Sequence, residues 1–301
     1  MMPDSLDLKT ILLIALALIT VFYMVVLVRG LQRARSESQG VAPTPAGLAT
    51  GFGTNFFDTL GIGSFATTTA IFRQLKMVLD ERIPGTLNIG HTLPTIVQAY
   101  IFTKLVPVDG LTLALMIIAA VLGSWLGAGI VSGWPRRNIQ IAMGSALLIF
   151  SAIMLMGLLN LTPGGGTLLK LEGTRLLIGL AGNFILGTLM PMGIGLYGPC
   201  MILIYLLGMD PKAAFPIMMG SCAFLMPIGS ARFLREKAFD ARAVLGLAIG
   251  GVPAVLIAAL IVKSLPTVPL RWMVVVVVVY AAVMMLRSAM SERSAPIRGA
   301  A

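Results

Sequence analysis

Two glycine-rich stretches bring together the residue types that this sequence could use to bind a small ion. The first runs from Gly47 to Phe72 and reads GLATGFGTNFFDTLGIGSFATTTAIF. It is apolar enough to enter a bilayer, yet it carries the amide of Asn55 and the carboxylate of Asp58, and Gly61-Ile62-Gly63 interrupts it. A break in a helix at membrane depth is tolerated only where the backbone is buried in protein or lines a cavity. The stretch therefore predicts an interrupted helix with polar groups near the break.

The second stretch repeats this pattern in the other half of the chain. It runs from Leu176 to Leu207 and reads LLIGLAGNFILGTLMPMGIGLYGPCMILIYLL. The GFGTN that ends at Asn55 matches the GLAGN that ends at Asn183, and Gly61-Ile62-Gly63 matches Gly193-Ile194-Gly195, with four more residues between the two matches in the second copy. Glycine-interrupted segments at corresponding positions of two halves are the sequence feature that best points to a transporter's central site.

The chemistry that these stretches favour is the binding of a small oxyanion. Helix N-termini offer unpaired N–H groups and partial positive charge, and glycine allows the backbone to approach a ligand closely. We expect the second arms to begin at Gly61–Ser64 and at Gly193–Gly198, and the two tips to form one anion site. The residues expected to bind substrate are Asn55, Gly61, Gly63, Ser64, Thr67, His91, Thr92, Asn183, Gly193, Gly195, Tyr197, Gly198 and Ser221. The alternative is that the glycines only let helices pack closely.

Two ionisable residues in apolar surroundings are candidates for proton coupling. His91 is the single histidine of the chain and aligns with Ser221 of the second half. An ionisable group inside a membrane segment is a functional hypothesis by default, and histidine titrates near neutral pH. Asp58 would repel an anion unless it is protonated, so it fits either proton coupling or a hydrogen bond to amides at the break. For both residues a purely structural role stays open.

Other chemistries find little support in the sequence. Cys200 and Cys222 lie in apolar segments, where cysteine acts as a small core residue. No phosphate-binding loop is present, no spacing typical of a metal or haem site occurs, and no catalytic residue or cofactor is expected. We therefore expect a protein that is not an enzyme. Its expected partners are a small anionic substrate, the lipid bilayer and a coupling proton or sodium ion, with no nucleic acid and with a homodimer left open.

The elements that position these residues are membrane helices. Of the 301 residues, 57% are hydrophobic and 11% are charged, whereas soluble domains carry about a quarter charged residues. Runs of about 20 apolar residues can cross the hydrocarbon layer. One predicted span contains Gly123 and Gly127, a spacing of small residues that favours close helix packing. The seven predicted spans are Ile11–Val28, Thr86–Leu105, Leu111–Val131, Ile139–Leu161, Ala213–Ala231, Ala243–Val262 and Trp272–Leu286.

The basic residues predict that both broken stretches turn back rather than cross. With hairpins and an external N-terminus, 15 of the 22 Lys and Arg residues lie inside and seven outside. If each stretch crosses once, the division becomes 13 against nine. Because cytoplasmic loops are enriched in Lys and Arg, the hairpin arrangement is favoured, with the C-terminus in the cytoplasm. A hairpin followed by three spans is an odd number of crossings, so the second copy would be inverted relative to the first.

The predicted fold is therefore an all-α polytopic membrane protein of two inverted repeats. Each repeat has a re-entrant hairpin and three transmembrane helices, and an extra transmembrane helix precedes the first repeat. The predicted parts are 1–45 (N-terminal helix and cytoplasmic linker), 46–161 (first repeat), 162–175 (connecting loop), 176–287 (second repeat) and 288–301 (basic tail).

Three segments of the first half resemble a known family. They read GFGTNFFDTLGIGSFATTTAIFR, IPGTLNIGHTLPTIVQA and GSWLGAGIVSGWPRRNIQ, and they are similar to the TauE/SafE sulfite exporters, bacterial permeases of the inner membrane. The similarity runs from about Gly47 to Leu286. It implies a secondary transporter, an exporter of a small sulfur-containing or carboxylate anion such as sulfite or an organosulfonate, with alternating access around the two tips. A channel in which the same tips form a constriction is the alternative. The extra N-terminal span and His91, where the second repeat has serine, depart from the family pattern.

Overall fold

The computed structural model describes residues 7–37, 40–131, 136–159, 166–190, 195–264 and 267–292. These ranges contain eleven α-helices and two short 3-10 helices, Asp80–Arg82 and Pro211–Ala213. The α-helices are α1 (Leu8–Ser36), α2 (Pro45–Thr59), α3 (Ser64–Gln74), α4 (Ile83–Leu105), α5 (Gly110–Val131), α6 (Arg136–Leu158), α7 (Gly173–Leu189), α8 (Tyr197–Leu206), α9 (Ala214–Arg235), α10 (Ala241–Ser264) and α11 (Thr267–Glu292).

The seven predicted spans coincide with α1, α4, α5, α6, α9, α10 and α11, each of 22 to 29 residues. Within the described ranges, three helical segments are long and apolar enough to cross a membrane: Leu8–Ser36, Pro211–Glu236 and Ala241–Ile261. Shorter apolar helical stretches are Gly110–Leu126, Gly173–Leu189, Tyr197–Leu206 and Val278–Met290. The all-helical fold with several apolar helices fits a polytopic membrane protein.

Both glycine-rich stretches are interrupted, as the sequence predicts. α2 begins at Pro45 behind an N-cap, since the Thr44 hydroxyl accepts a hydrogen bond from the Gly47 amide (3.0 Å). It ends at Thr59, and α3 begins at Ser64. Gly61 (φ 101°) and Gly63 (φ 83°) adopt positive φ values that side chains with a Cβ rarely take, so the break depends on glycine. In the second stretch α7 ends at Leu189 and α8 begins at Tyr197, and Gly193 lies outside the described residues.

Helices of the first half pack mainly on helices of the second. α2 lies along α10, α7 along α5, α9 along α4 and α11 along α6. Glycine makes the closest of these approaches possible. A Cβ added at Gly51 of α2 would lie 2.5 Å from the backbone oxygen of Gly246 on α10, and one added at Gly123 of α5 would overlap the backbone of Phe184 on α7. The predicted close packing is therefore confirmed at Gly123. The surroundings of Gly127 lie outside what the structure describes.

One end of the bundle, which we call the lysine end, gathers the start of α1 and three loops. Lys9 Nζ donates to the carbonyl of Val106 (3.4 Å), and the amide of Asp109 donates to the carbonyl of Leu169 (2.8 Å). Leu168 in turn pairs with Gly208 and Asp210 through backbone hydrogen bonds. The lysine end thus contains the segments 104–110, 166–175 and 207–212. A hydrogen bond to Glu172 there raises the pKa of Lys170.

The opposite end, which we call the arginine end, gathers the end of α1 with the loops before α2, α4 and α10. Lys237 Nζ donates to Glu37 (2.5 Å), and this hydrogen bond lowers the pKa of the Glu37 carboxyl. The amide of Asp240 donates to Thr86 Oγ1 (2.9 Å). The arginines of the helix ends and loops that meet at this end include Arg29, Arg33, Arg35, Arg73, Arg82, Arg232, Arg235 and Arg242.

α9 lies at the centre of the fold and α1 at its edge. The most apolar window of the α9 segment is 83% buried inside the protein, whereas that of α1 is 17% buried. α1 exposes Leu18, Val21 and Ile14, each with 49% or more of its surface accessible. A continuous exposed apolar surface of this kind marks a contact with lipid or another partner. Tyr23 of α1 nevertheless reaches inward, and its hydroxyl donates to the carbonyl of Ile89 on α4 (2.6 Å).

Candidate functional site

The two interrupted stretches face a single cavity. Gly63 and Ser64 line it at the start of α3, and Gly195, Tyr197 and Gly198 line it at the start of α8. The space between these residues amounts to about 650 Å³ when the part open to solvent is included. Each tip therefore presents a helix N-terminus, whose first N–H groups have no acceptor in their own helix.

Most of the cavity wall is apolar or sulfur-containing. Met190, Met226, Met284 and Met285 line it together with Ile62, Phe65, Leu196 and Pro199. Its polar lining residues are Asp58, Ser64, Thr95, Tyr197, Cys222 and Tyr280. Among the described residues no Lys, Arg or His lines the cavity, so the positive potential available to an anion comes from helix N-termini.

Asp58 places a carboxylate of the protein itself at the start of α3. The residue is the second last of α2, is 3% exposed, and lines the cavity together with Ser64, the first residue of α3. A carboxylate at a helix N-terminus is stabilised by the unpaired N–H groups and by the helix dipole. The first tip is therefore occupied, in the ionised state of Asp58, by an internal anion.

Gln98 of α4 joins the two tips through its amide group. Its Nε2 atom donates to Asp58 Oδ2 (2.9 Å) and to Thr59 Oγ1 (2.9 Å). Its Oε1 atom accepts from the hydroxyl of Tyr197, the first residue of α8 (2.7 Å). All four side chains are buried, and every hydrogen-bonding position of the amide except one acceptor lone pair is used. The chain of contacts runs from the end of α2 to the start of α8.

His91 is held away from the cavity by two polar partners. Its Nδ1 atom lies 3.0 Å from Asn55 Oδ1, and its Nε2 atom lies 3.0 Å from Thr68 Oγ1. Because Asn55 Nδ2 donates to the carbonyl of Gly51 (2.7 Å), Asn55 offers its oxygen to the ring, so the neutral ring carries its proton on Nδ1. His91 thus connects α2, α3 and α4 behind the first tip.

The second half repeats the asparagine contact with a different partner. Asn183 Nδ2 donates to Ser221 Oγ (3.1 Å) and to the carbonyl of Met116 (2.7 Å). The aligned residues Asn55 and His91 of the first half are also hydrogen-bonded to each other, but there the asparagine oxygen accepts from the ring. Asn183 Oδ1 is buried and has no hydrogen-bond partner within the described part of the chain.

Only some of the predicted site residues line the cavity. Asp58, Gly63, Ser64, Gly195, Tyr197 and Gly198 line the cavity. Asn55, His91, Asn183 and Ser221 lie behind the tips, where they join helices. Thr67 bonds to the backbone of its own helix (2.8 Å to Ser64 O), Thr92 bonds to Asn88 and Ser230, and Gly61 is buried at the break. Gly193 lies outside the described residues.

Sequence reasoning missed Gln98 and the methionine lining. Gln98 stands alone in an apolar run of α4, seven residues after His91, and a long amide in such a run costs free energy unless it is hydrogen-bonded. This free-energy cost is the sequence signal that could have identified Gln98 as part of a hydrogen-bonded site. The four methionines are Met190, which directly follows α7, and residues of α9 and α11; they show no common spacing, so only the fold brings them together.

Comparison with known families bears on the second half of the chain. Residues 175–300 match the family model described as Sulfite exporter TauE/SafE. This part of the chain is similar to the TauE/SafE sulfite exporters. The resemblance seen in the sequence is thereby confirmed for the segment from Arg175 onward, and TauE/SafE proteins are a family of membrane transporters. No curated protein and no solved structure matches the chain.

The TauE/SafE match divides the site. α7 to α11, with Asn183, Tyr197 and Ser221, lie in the matched region. Asp58, His91 and Gln98 lie before it, so the arrangement of the first tip is described by the geometry of this chain.

Proposed function

We propose that the protein is a secondary membrane transporter that exports a small sulfur-containing or carboxylate anion, such as sulfite or an organosulfonate. The observation that carries the proposal is the meeting of two helix breaks, one from each half, around one cavity. Each break ends in a helix N-terminus, which is suited to an oxyanion. The sulfite-exporter match over residues 175–300 supports the class of substrate.

Contacts at the two ends of the bundle support two inverted re-entrant hairpins. Gly47 near the start of α2 packs against Gly246 of α10, and Phe72 near the end of α3 shares a cluster with Ala243 of α10. Both ends of the first broken stretch thus lie beside the start of α10 at the arginine end. Discontinuous helices that approach from opposite sides are the central feature of many inverted-repeat transporters.

The second broken stretch returns to the lysine end in the same manner. Gly179 of α7 lies beside Leu171 and Leu207, which precede α7 and follow α8. Gly208 lies near Arg175, with 3.6 Å between the position of an added Cβ and the guanidinium. In this arrangement α4 and α9 run antiparallel through the centre. The packing of α2 on α10 and of α7 on α5 follows the same two-fold relation.

The distribution of basic residues supports the orientation of the protein in a bacterial inner membrane. We place the arginine end in the cytoplasm and the lysine end, with the N-terminus, outside, because short cytoplasmic loops are enriched in Lys and Arg. For an anion that crosses without a compensating proton, the membrane potential, negative inside, favours export by roughly 2.3 kcal/mol per charge per 100 mV.

Purified full-length protein in liposomes tests the proposal. Sulfite, sulfoacetate, thiosulfate and acetate are offered, and release is measured with and without a proton gradient. Saturable, gradient-dependent flux of at least one anion is expected, with loss of flux in Gly195→Leu. Flux that does not saturate and far exceeds carrier turnover would instead establish a channel with the two tips as its constriction. Absence of flux for all four anions would overturn the proposal.

A further inference from the structure

The geometry points to Gln98 as a positioning residue that converts protonation of Asp58 into an anion-binding O–H group on Tyr197. This inference rests on the proposed function and deepens it, since it makes the transported anion enter together with a proton. The observation behind it is the hydrogen-bonded line of Asp58, Gln98 and Tyr197 between the two tips, in which the central group is an amide with one donor side and one acceptor side.

The ionised state fixes the direction of every hydrogen bond in this line. An ionised carboxylate only accepts, so the NH₂ group of Gln98 must face Asp58. The Gln98 oxygen then faces Tyr197 and takes the single O–H of that residue, at 2.7 Å. Tyr197 can therefore present only oxygen lone pairs to the cavity, which repel an anion. In this state both Asp58 and Tyr197 oppose anion binding.

The protonated state reverses the line when the Gln98 amide turns over. A protonated Asp58 donates its O–H to the Gln98 oxygen, and the Gln98 NH₂ group now donates to the Tyr197 oxygen. The Tyr197 O–H is released and can donate to an anion in the cavity. The hydroxyl of Thr59, now bonded to the carbonyl of Asn55 at 2.8 Å, can turn toward the Gln98 oxygen, which then accepts from both Asp58 and Thr59.

Few titratable groups near Asp58 could bind the proton in its place. The titratable groups that face it are Tyr197 from α8 and Cys222 from α9. α3 and α4 present Ser64 and Gln98, and α10 contains no ionisable residue between Ala243 and Val262. No described cationic side chain lines the cavity, so one proton on Asp58 is the means at hand to balance a monoanion.

Infrared difference spectroscopy of the full chain in lipid tests the relay without any substrate. Between about pH 8 and about pH 5, wild type should gain a carboxylic acid C=O band and show a shifted tyrosine C–O band with the same midpoint. Asp58→Asn should lose both changes. Gln98→Met, which keeps the length of the side chain but has no amide, should keep the acid band and lose the tyrosine shift.

Two tyrosine variants assign the band. Tyr197→Phe should remove the shift, whereas Tyr23→Phe, which removes a buried hydroxyl that does not line the cavity, should retain it. The relay is overturned if no carboxyl titrates over this range, if the acid band appears in wild type without a tyrosine shift, or if the shift persists in Gln98→Met. The wild-type spectrum alone gives this test should a variant fail to fold.

Anion flux separates the relay from the proposed function. In liposomes, wild-type flux of the transported anion should change by up to about tenfold per pH unit where Asp58 titrates, because one proton accompanies each anion. The pH dependence should vanish in Asp58→Asn, whose NH₂ group faces Gln98 as the O–H of the protonated acid does. Flux without the tyrosine shift would refute the relay alone, and the shift without flux of any anion would refute the proposed function alone.

Discussion

Replacing Gly51 with alanine tests how closely the halves are joined at the first hairpin. A Cβ at this position would lie 2.5 Å from the oxygen of Gly246 and 2.7 Å from Cα of Leu247, both in the backbone of α10. Ordinary contacts begin near 3.4 Å, so α2 and α10 must separate by about 0.9 Å. A side chain could rotate away, but backbone atoms cannot, and the two helices must move as units.

The expected magnitude follows from two opposing terms. Alanine stabilises a helix interior by roughly 0.5–1 kcal/mol relative to glycine, and overpacking of a well-packed core costs typically 1–3 kcal/mol. Gly51→Ala should therefore lower the free energy of unfolding by about 1–2 kcal/mol. It should also reduce anion flux, because α2 carries Asn55 and Asp58.

Gly53→Ala is the matched control. Gly53 lies on the same helix, and nothing lies within 4 Å of its added Cβ. This variant should gain the helix term alone and become more stable by up to about 1 kcal/mol. Both variants are unfolded with SDS from mixed micelles, and flux is measured in liposomes. If Gly51→Ala is as stable as Gly53→Ala, the close contact of α2 with α10 is not as described.

Three further outcomes are expected. Gly195→Ala should keep flux, since nothing lies within 4 Å of its added Cβ, whereas Gly195→Leu should lose at least about nine tenths of it at an unchanged melting temperature by filling the cavity. His91→Gln should lower stability yet keep the pH profile of flux that Asp58→Asn abolishes; a flat profile in His91→Gln would assign the coupling to His91. Glu37→Gln should have the melting temperature of wild type at pH 3 and a slightly lower one at pH 7. The reason is that the lowered pKa of the Glu37 carboxyl contributes stability that is lost as the pH falls below about 4.5. An equal difference in melting temperature at both pH values would show that Lys237 does not stabilise the carboxylate.

The sequence was sufficient to predict the helix breaks and the pairing of their motifs. Gly61 and Gly63 sit at positive φ, a conformation for which glycine is the natural residue, so their effect is local and readable. The alignment of His91 with Ser221 also placed two residues that bond to the aligned asparagines Asn55 and Asn183. The helices and their breaks were thus predictable from the glycines that the backbone requires locally and from the motifs that the two halves share.

The chemistry of the first tip required the three-dimensional arrangement. His91 was expected at the substrate, yet both ring nitrogens face Asn55 and Thr68, which lie 36 and 23 residues away in the chain. Gln98 and Tyr197, 99 residues apart, are joined by a hydrogen bond that no local pattern records. Polar contacts between distant helices depend on register and crossing angle, and these are fixed by packing rather than by the sequence around each residue.

Because α2 of the first half packs on α10 of the second half, the order of synthesis matters for biogenesis. Gly51 emerges from the ribosome 195 residues before Gly246, against whose backbone it packs. Until then the glycine face of α2 has no permanent cover, and α5 similarly waits for α7. A truncated first half should therefore be a substrate for membrane proteases, and co-synthesis of the second half on a separate chain should rescue it.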